Sequence, residues 1–154
     1  MITNDDGIDA DGIGVLRRVV GRGTVVAPRE EHSVCSHRVT LHRAIGVEKR
    51  KPDWYAVDGA PADCVRIGMA GLGLKPDLVI AGINHGANLG HDTYLSGTVS
   101  AAREATALGV PAISISQYRH GGKAVRWAFS EALAARALKA VLEREGTGIG
   151  FWNI

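Results

Sequence analysis

Most of the features that would assign a chain at a glance are missing here. The two cysteines, Cys35 and Cys64, lack metal-site spacing and read as reduced thiols of a cytoplasmic protein. None of the six histidines (His32, His37, His42, His85, His91, His120) forms a helical zinc pair. The glycine-rich stretches match neither GxGxxG nor a Walker A loop, which weakens dinucleotide and triphosphate readings. No basic run stands out and the formal net charge is only +2, so binding of nucleic acid by a charged face is not indicated. No apolar run approaches the roughly 20 residues of a membrane span. The opening Met1-Ile2-Thr3-Asn4 has no basic n-region or apolar h-region, which predicts no secretory signal. Without repeats, low-complexity tracts or linkers, residues 1–154 are expected to form one domain.

What the chain does have is glycine, 20 in 154 residues, mostly between short β-like runs and helix-like stretches. That is the punctuation of an α/β domain whose loops turn tightly or approach a ligand. Strands are expected at 1–4, 24–27, 39–41, 45–47, 55–57, 78–81 and 112–115, and helices at 11–22, 61–69, 98–108 and 123–145. Pro61 suits a first helical turn, where its missing N–H has no partner to lose. The last helix is expected to bury Val125, Phe129, Ala132, Leu138 and Leu142, with Gly146 as its cap. The alternation predicts a parallel sheet with crossover helices. Phe151 to Ile154 is also β-like, and an unpaired apolar strand there is expected to leave an adhesive edge and a cleft more open than in longer proteins.

Ligands of open α/β sheets bind beyond the carboxyl ends of the strands. The residues at those ends are Asn4-Asp5-Asp6-Gly7 after the first strand, a polar loop with Ser33 after the second, and Gly82-Ile83-Asn84-His85-Gly86-Ala87-Asn88 after the 78–81 strand. Adjacent carboxylates repel unless a cation lies beside them. Carboxylates with neutral Ser and Asn oxygens suit Mg²⁺ or Mn²⁺ better than zinc. The plainer reading of Asp5-Asp6-Gly7 is a turn with an N-cap. Ser96-Gly97-Thr98, before the 98–108 helix, offers amides, hydroxyls and the positive dipole end to an anion, or is an ordinary cap. His85 is open between substrate contact and a solvated loop position. A metal site and an anion cradle on one sheet edge point to phosphate-ester hydrolysis.

These motifs resemble the SurE survival-protein family of metal-dependent 5′/3′-nucleotidases. The resemblance is carried by Thr3-Asn4-Asp5-Asp6-Gly7-Ile8, Val26-Ala27-Pro28-Arg29-Glu30-Glu31-His32-Ser33, Thr40-Leu41-His42-Arg43 and Tyr55-Ala56-Val57-Asp58-Gly59-Ala60-Pro61-Ala62-Asp63-Cys64-Val65. It is strongest in Gly82 to Gly90 and in Tyr94-Leu95-Ser96-Gly97-Thr98-Val99. It implies a Rossmann-like parallel sheet with helices on both faces, C-terminally short here because family members continue past the strand that 151–154 begins. It implies that Asp5, Asp6, Ser33 and Asn84 hold one divalent metal, with Asp5 and Asp6 central to catalysis. Asn88, Ser96, Gly97 and Thr98 would surround the substrate phosphate. A cytoplasmic homo-oligomer, dimer or tetramer, acting on nucleoside monophosphates is the expected whole. The competing readings are an aspartyl-phosphate phosphatase built on Asp9 and Asp11, and a metal-binding remnant without turnover.

Overall fold

The structure is a computed structural model and describes residues 1–119, 121, 124–144 and 148–154. Seven strands form one sheet in the order β3-β4-β2-β1-β5-β6-β7. They are β1 (Ile2–Thr3), β2 (Val25–Pro28), β3 (Val47–Lys51), β4 (Trp54–Val57), β5 (Val79–Asn84), β6 (Ala112–Ser116) and β7 (Phe151–Asn153). All neighbours pair in parallel except β3, which returns against β4 as an antiparallel edge. The expectation of a parallel sheet is thus corrected at one strand. The turn at Pro52-Asp53 is too short for a crossover, so β3 and β4 can only form a hairpin. The expected strand at 39–41 is absent, since those residues lie in the irregular loop between β2 and β3.

Helices cover both faces. On one side, α1 (Asp11–Val20) and α5 (Trp127–Leu142) pack Ile13, Leu16, Ala134 and Leu138 over Ile2, Val25, Ile80 and Ile113. On the other, α2 (Pro61–Arg66) and α4 (Gly97–Ala107) pack Val65, Ala101, Ala102 and Ala105 over Val79, Ala81 and Ala112. Strand periodicity explains the division, for Val79 and Ala81 face one layer and Ile80 the other. Each fully buried Ile, Leu or Val contributes roughly 1.5–3 kcal/mol. The alanine-rich face of α4 lets that helix approach the sheet closely. A π-helical turn, Ile67–Gly71, follows α2, and a short helix, α3 (Asp92–Leu95), precedes α4.

Two expectations about the C-terminal third change. The last helix begins at Trp127 and buries Ser130, Ala134, Leu138 and Val141, whereas Phe129 and Leu142 are more than half exposed and Ala132 is exposed. The expected face was rotated about the helix, because an alanine-rich helix has several nearly equivalent apolar stripes. His120, Lys123, Glu145 and Gly146 lie outside the described residues. Residues 151–153 are not an unpaired strand, since β7 runs parallel to β6 in register Ala112↔Phe151, with Ile154 N–H donating to the Ser114 carbonyl at 2.9 Å. Its outer side is a sheet edge, with Phe151 and Trp152 about 40% exposed. Among the described residues, no helix is long and apolar enough to cross a membrane.

Candidate functional site

The chain leaves β1 for β2 on one side and later re-enters the sheet at β5 on the other, so β1 and β5 flank the point where the strand order reverses. The carboxyl ends of adjacent parallel strands open a crevice there, the usual place for a ligand in such sheets. A cleft of about 970 Å³ occupies this position and is lined by Asp5, Asp6, Glu31, Ser33, Asn84, His85, Asn88 and Ser96, among others.

Local geometry explains why Asp5 and Asp6 are presented here. Gly7 has φ of +100°, which favours glycine, and lets the chain turn directly after the strand. The Asn4 side-chain amide ties that turn by donating to the Gly7 carbonyl at 2.8 Å. The loop after β2 is drawn alongside by His32 N–H donating to the Asp5 carbonyl at 2.7 Å and Ile8 N–H to the Pro28 carbonyl at 2.8 Å. Asp5 is only 6% exposed, and its carboxylate accepts a hydrogen bond from the Thr98 hydroxyl. Gly97 sits directly against it, for a Cβ there would lie 2.7 Å from the Asp5 Cβ and 2.9 Å from Cys35 Sγ. Asp6 accepts from the His85 backbone N–H at 3.1 Å, which links β1's end to β5's.

Burial pushes the Asp5 carboxyl above its ordinary value, opposed by the Thr98 hydrogen bonds. Asp6 is pushed up to about 6, first by burial and then by the charges of Asp5 and Glu31. Among the described residues, no lysine or arginine forms an ion pair with either carboxylate. Two adjacent acids held together in a largely buried turn repel one another, an electrostatic deficit that a bound cation would relieve.

The remaining expected residues fall as follows. Ser33 lies exposed on the loop after β2 and donates to Glu31 Oε1 at 2.5 Å. Asn84 ends β5 and gives its side-chain amide to the Gly86 carbonyl at 2.7 Å. Asn88 donates to Ser116 Oγ at 2.8 Å, and its carbonyl accepts from the Asn153 side chain at 2.9 Å, so β7 braces this loop. Ser96 caps α4, its Oγ accepting from Val99 N–H at 3.1 Å. Thr98 is fully buried, and its hydroxyl is committed to Asp5 instead of standing open in the cleft. The structure therefore brings Asp5, Asp6, Ser33, Asn84, Asn88 and Ser96 to one cleft, with Gly97 and Thr98 packed behind Asp5. Asp9 lies exposed on the turn before α1 and Asp11 starts the helix, so neither stands at a strand end as an aspartyl nucleophile would.

The donor chemistry suits a hard cation. Among the described residues, no three His, Cys, Asp or Glu side chains converge as a ligand set. The cleft instead offers two carboxylates with neutral hydroxyl and amide oxygens, the set preferred by Mg²⁺ or Mn²⁺.

Sequence reasoning passed over several participants. Glu31 was legible, as an acid two residues from Ser33. Trp127 and Arg119 line the cleft from the far side of the chain, and nothing local marks them. Two buried acids anchor the loop that carries Ser33. Asp63 accepts from Thr40 N–H and Thr40 Oγ1, both at 2.8 Å, and from Ala60 N–H at 2.9 Å. Glu104, 3% exposed, meets His37 Nε2 at 2.7 Å and accepts from Arg66 Nε at 2.5 Å. Asp63 was visible as a first-turn acid, but its partner Thr40 comes from tertiary structure.

Comparison with known proteins agrees with this architecture. A family model described as "Survival protein SurE" matches residues 1–154. A Synechocystis sp. protein is 46% identical over 155 residues, covering all of this chain and 69% of that one. A protein of Pelobacter propionicus named "5'-nucleotidase SurE" is 52% identical over 120 residues, covering 75% of this chain and 49% of that protein. The crystal structure of the SurE protein from Aquifex aeolicus superposes with a TM-score of 0.87 at 38% identity, over 99% of this chain and 64% of that one. The chain thus spans about half to two thirds of the length of these relatives.

Proposed function

The chain belongs to the SurE survival-protein family, and on that premise we propose that it is a divalent-metal-dependent phosphatase that hydrolyses nucleoside monophosphates, at the 5′ or 3′ position. The observation that carries this reading is the Asp5–Asp6 pair. Both carboxyls are raised in pKa, and they share with Ser33 and Asn84 one cleft of about 970 Å³, large enough to admit a nucleotide. The relatives named as 5′-nucleotidases support the substrate class.

In this proposal Asp5, Asp6, Ser33 and the Asn84 side-chain oxygen hold one Mg²⁺ or Mn²⁺. What such a cation supplies is polarisation of a phosphoryl oxygen and a lowered pKa for water. The Thr98 hydroxyl and the close packing of Gly97 orient Asp5 for that role. The His85 backbone N–H holds one oxygen of Asp6, leaving the other to face the cleft. Asn84 donates its amide to Gly86, which turns its oxygen into the available acceptor. Asn88 and Ser96, which line the cleft beside the start of α4, are placed to meet the phosphoryl group, whereas the backbone N–H groups of Gly97 and Thr98 are turned on the Asp5 carboxylate and serve to hold it.

The test is phosphate release from several nucleoside 5′- and 3′-monophosphates, with and without Mn²⁺ or Mg²⁺. Metal-dependent release that Asp6→Asn abolishes is expected. Equal rates for wild type and Asp6→Asn at limiting metal would remove Asp6 from the metal site. The homo-oligomer expected of the family is checked by light scattering, where a strictly monomeric mass counts against it.

A further inference from the structure

The cleft that holds the acidic and amide side chains is also lined by residues of another kind: Trp127, His85, Gly12 and Val125. The His85 and Trp127 rings lie with centroids 6.1 Å apart, tilted by 35°, in a chain where aromatic residues are only 5% of the sequence. Trp127 is fixed from behind. It packs on the core beneath α1 and α5, and a Cβ on Gly12 would come within 3.1 Å of its ring. It is also only partly buried, so the indole is neither wholly a core residue nor a free surface one. His85 is exposed, and its own backbone N–H is bonded to Asp6, so its ring starts beside the carboxylate pair.

From this juxtaposition we propose that Trp127, with His85 beside it, forms the platform on which the base of the nucleoside monophosphate lies while its phosphate sits at Asp5 and Asp6. The inference rests on the hydrolase reading above and extends it to the nucleoside. A rigid half-buried indole is already desolvated on its core side and loses little conformational entropy when a flat ring covers the other. Stacking on it is tolerant of base identity, since every base has a π-face. Such a platform favours nucleotides over simple phosphate esters without selecting one base.

Two experiments test it. The first compares kcat/KM for a nucleoside 5′-monophosphate with that for ribose 5-phosphate, which keeps sugar and phosphate but lacks the base. Wild type is expected to favour the nucleotide by about tenfold or more, the scale of one base–aromatic stack. Trp127→Leu should collapse that ratio toward one, chiefly through KM, His85→Ala should lower it less, and Trp127→Phe should retain most of it. A merely structural Trp127 would lower both esters by the same factor in the Leu variant, and a ratio preserved in that way overturns the proposal. The second needs no turnover. In a Trp54→Phe, Trp152→Phe background Trp127 is the sole indole, and adenosine added to the metal-free protein should quench its fluorescence saturably. If wild type hydrolyses neither ester, the hydrolase reading fails on its own account, and adenosine quenching still decides the platform. Absence of saturable quenching would refute it.

Discussion

The electrostatic deficit at Asp5–Asp6 has a measurable consequence for stability. Asp6 has an ordinary pKa of 3.8 and in the folded, metal-free chain it rises to about 6. The folded state therefore holds this proton more tightly than the unfolded chain. Between about pH 4 and pH 6 the unfolded chain has released the proton and the folded one has not, so unfolding free energy falls as pH rises across that window. The stabilisation is complete below about pH 4 and lost above about pH 6. A shift of about two units corresponds at most to about 3 kcal/mol, at 1.36 kcal/mol per unit. Asp6 is partly exposed, and solvent screening reduces this to about 1–2 kcal/mol. Asp6→Asn removes the charge and can keep the hydrogen bond from His85 N–H through its amide oxygen. In chelator at pH 7.5 the variant should thus melt about 2–8 °C above wild type, taking about 2–4 °C per kcal/mol for a chain of this size. At pH 4 the two should nearly coincide. Carboxylates remote from Asp6 titrate equally in both proteins and cancel from the difference, while Asp5 and Glu31, which are coupled to Asp6, are relieved of its charge in the variant and add to the same sign. Excess Mn²⁺ should reverse the order, since binding at a hundredfold excess over Kd adds about 2.7 kcal/mol to the protein that binds it. Circular-dichroism melts at the two pH values, with EDTA and with Mn²⁺, make the test. A variant no more stable than wild type at pH 7.5 in EDTA would refute the account of a destabilised carboxylate pair.

Three other outcomes follow from single contacts. Asp63→Ala strands three donors, Thr40 N–H, Thr40 Oγ1 and Ala60 N–H, and should lower the urea-derived unfolding free energy by about 2–4 kcal/mol; a loss below about 0.5 kcal/mol would mean the Ser33 loop is not anchored there. Gly97→Ala forces a methyl against Asp5 and Cys35, and should cost about 1–3 kcal/mol while weakening Mn²⁺ binding measured by calorimetry; wild-type affinity in this variant would show that Asp5 need not be held where it is. Gly14→Ala, by contrast, meets nothing nearer than Arg18 at 4.0 Å within α1, and should raise stability by about 0.5–1 kcal/mol in the same urea titration, a gain that any destabilisation would contradict.

Where local pattern suffices, the sequence was readable. Strands with short apolar runs, Pro61 at a helix start and the helix at 98–108 were all placed to within a few residues. Strand-end logic also gathered Asp5, Asp6, Ser33 and Asn84, because parallel strands must carry their carboxyl ends to one edge. The pattern failed at 39–41, where an apolar alternation had no partner strand, and in α5, where alanines leave the buried stripe undetermined until the sheet is in place.

The sequence by itself determined the α/β class, the family, and a carboxylate pair at the end of the first strand, since these depend on residue order and on the two short periodicities of helix and strand. Only the tertiary structure decided that Thr98 would spend its hydroxyl on Asp5, that Thr40 and His37 would tether the Ser33 loop to Asp63 and Glu104, and that Trp127 would line the same cleft as Asp5 and Asp6 from α5. These pairs are separated by 23 to 93 residues in the hydrogen-bonded cases. No local propensity encodes such contacts, because each exists only once the sheet has brought distant strand ends and helix starts to a common edge.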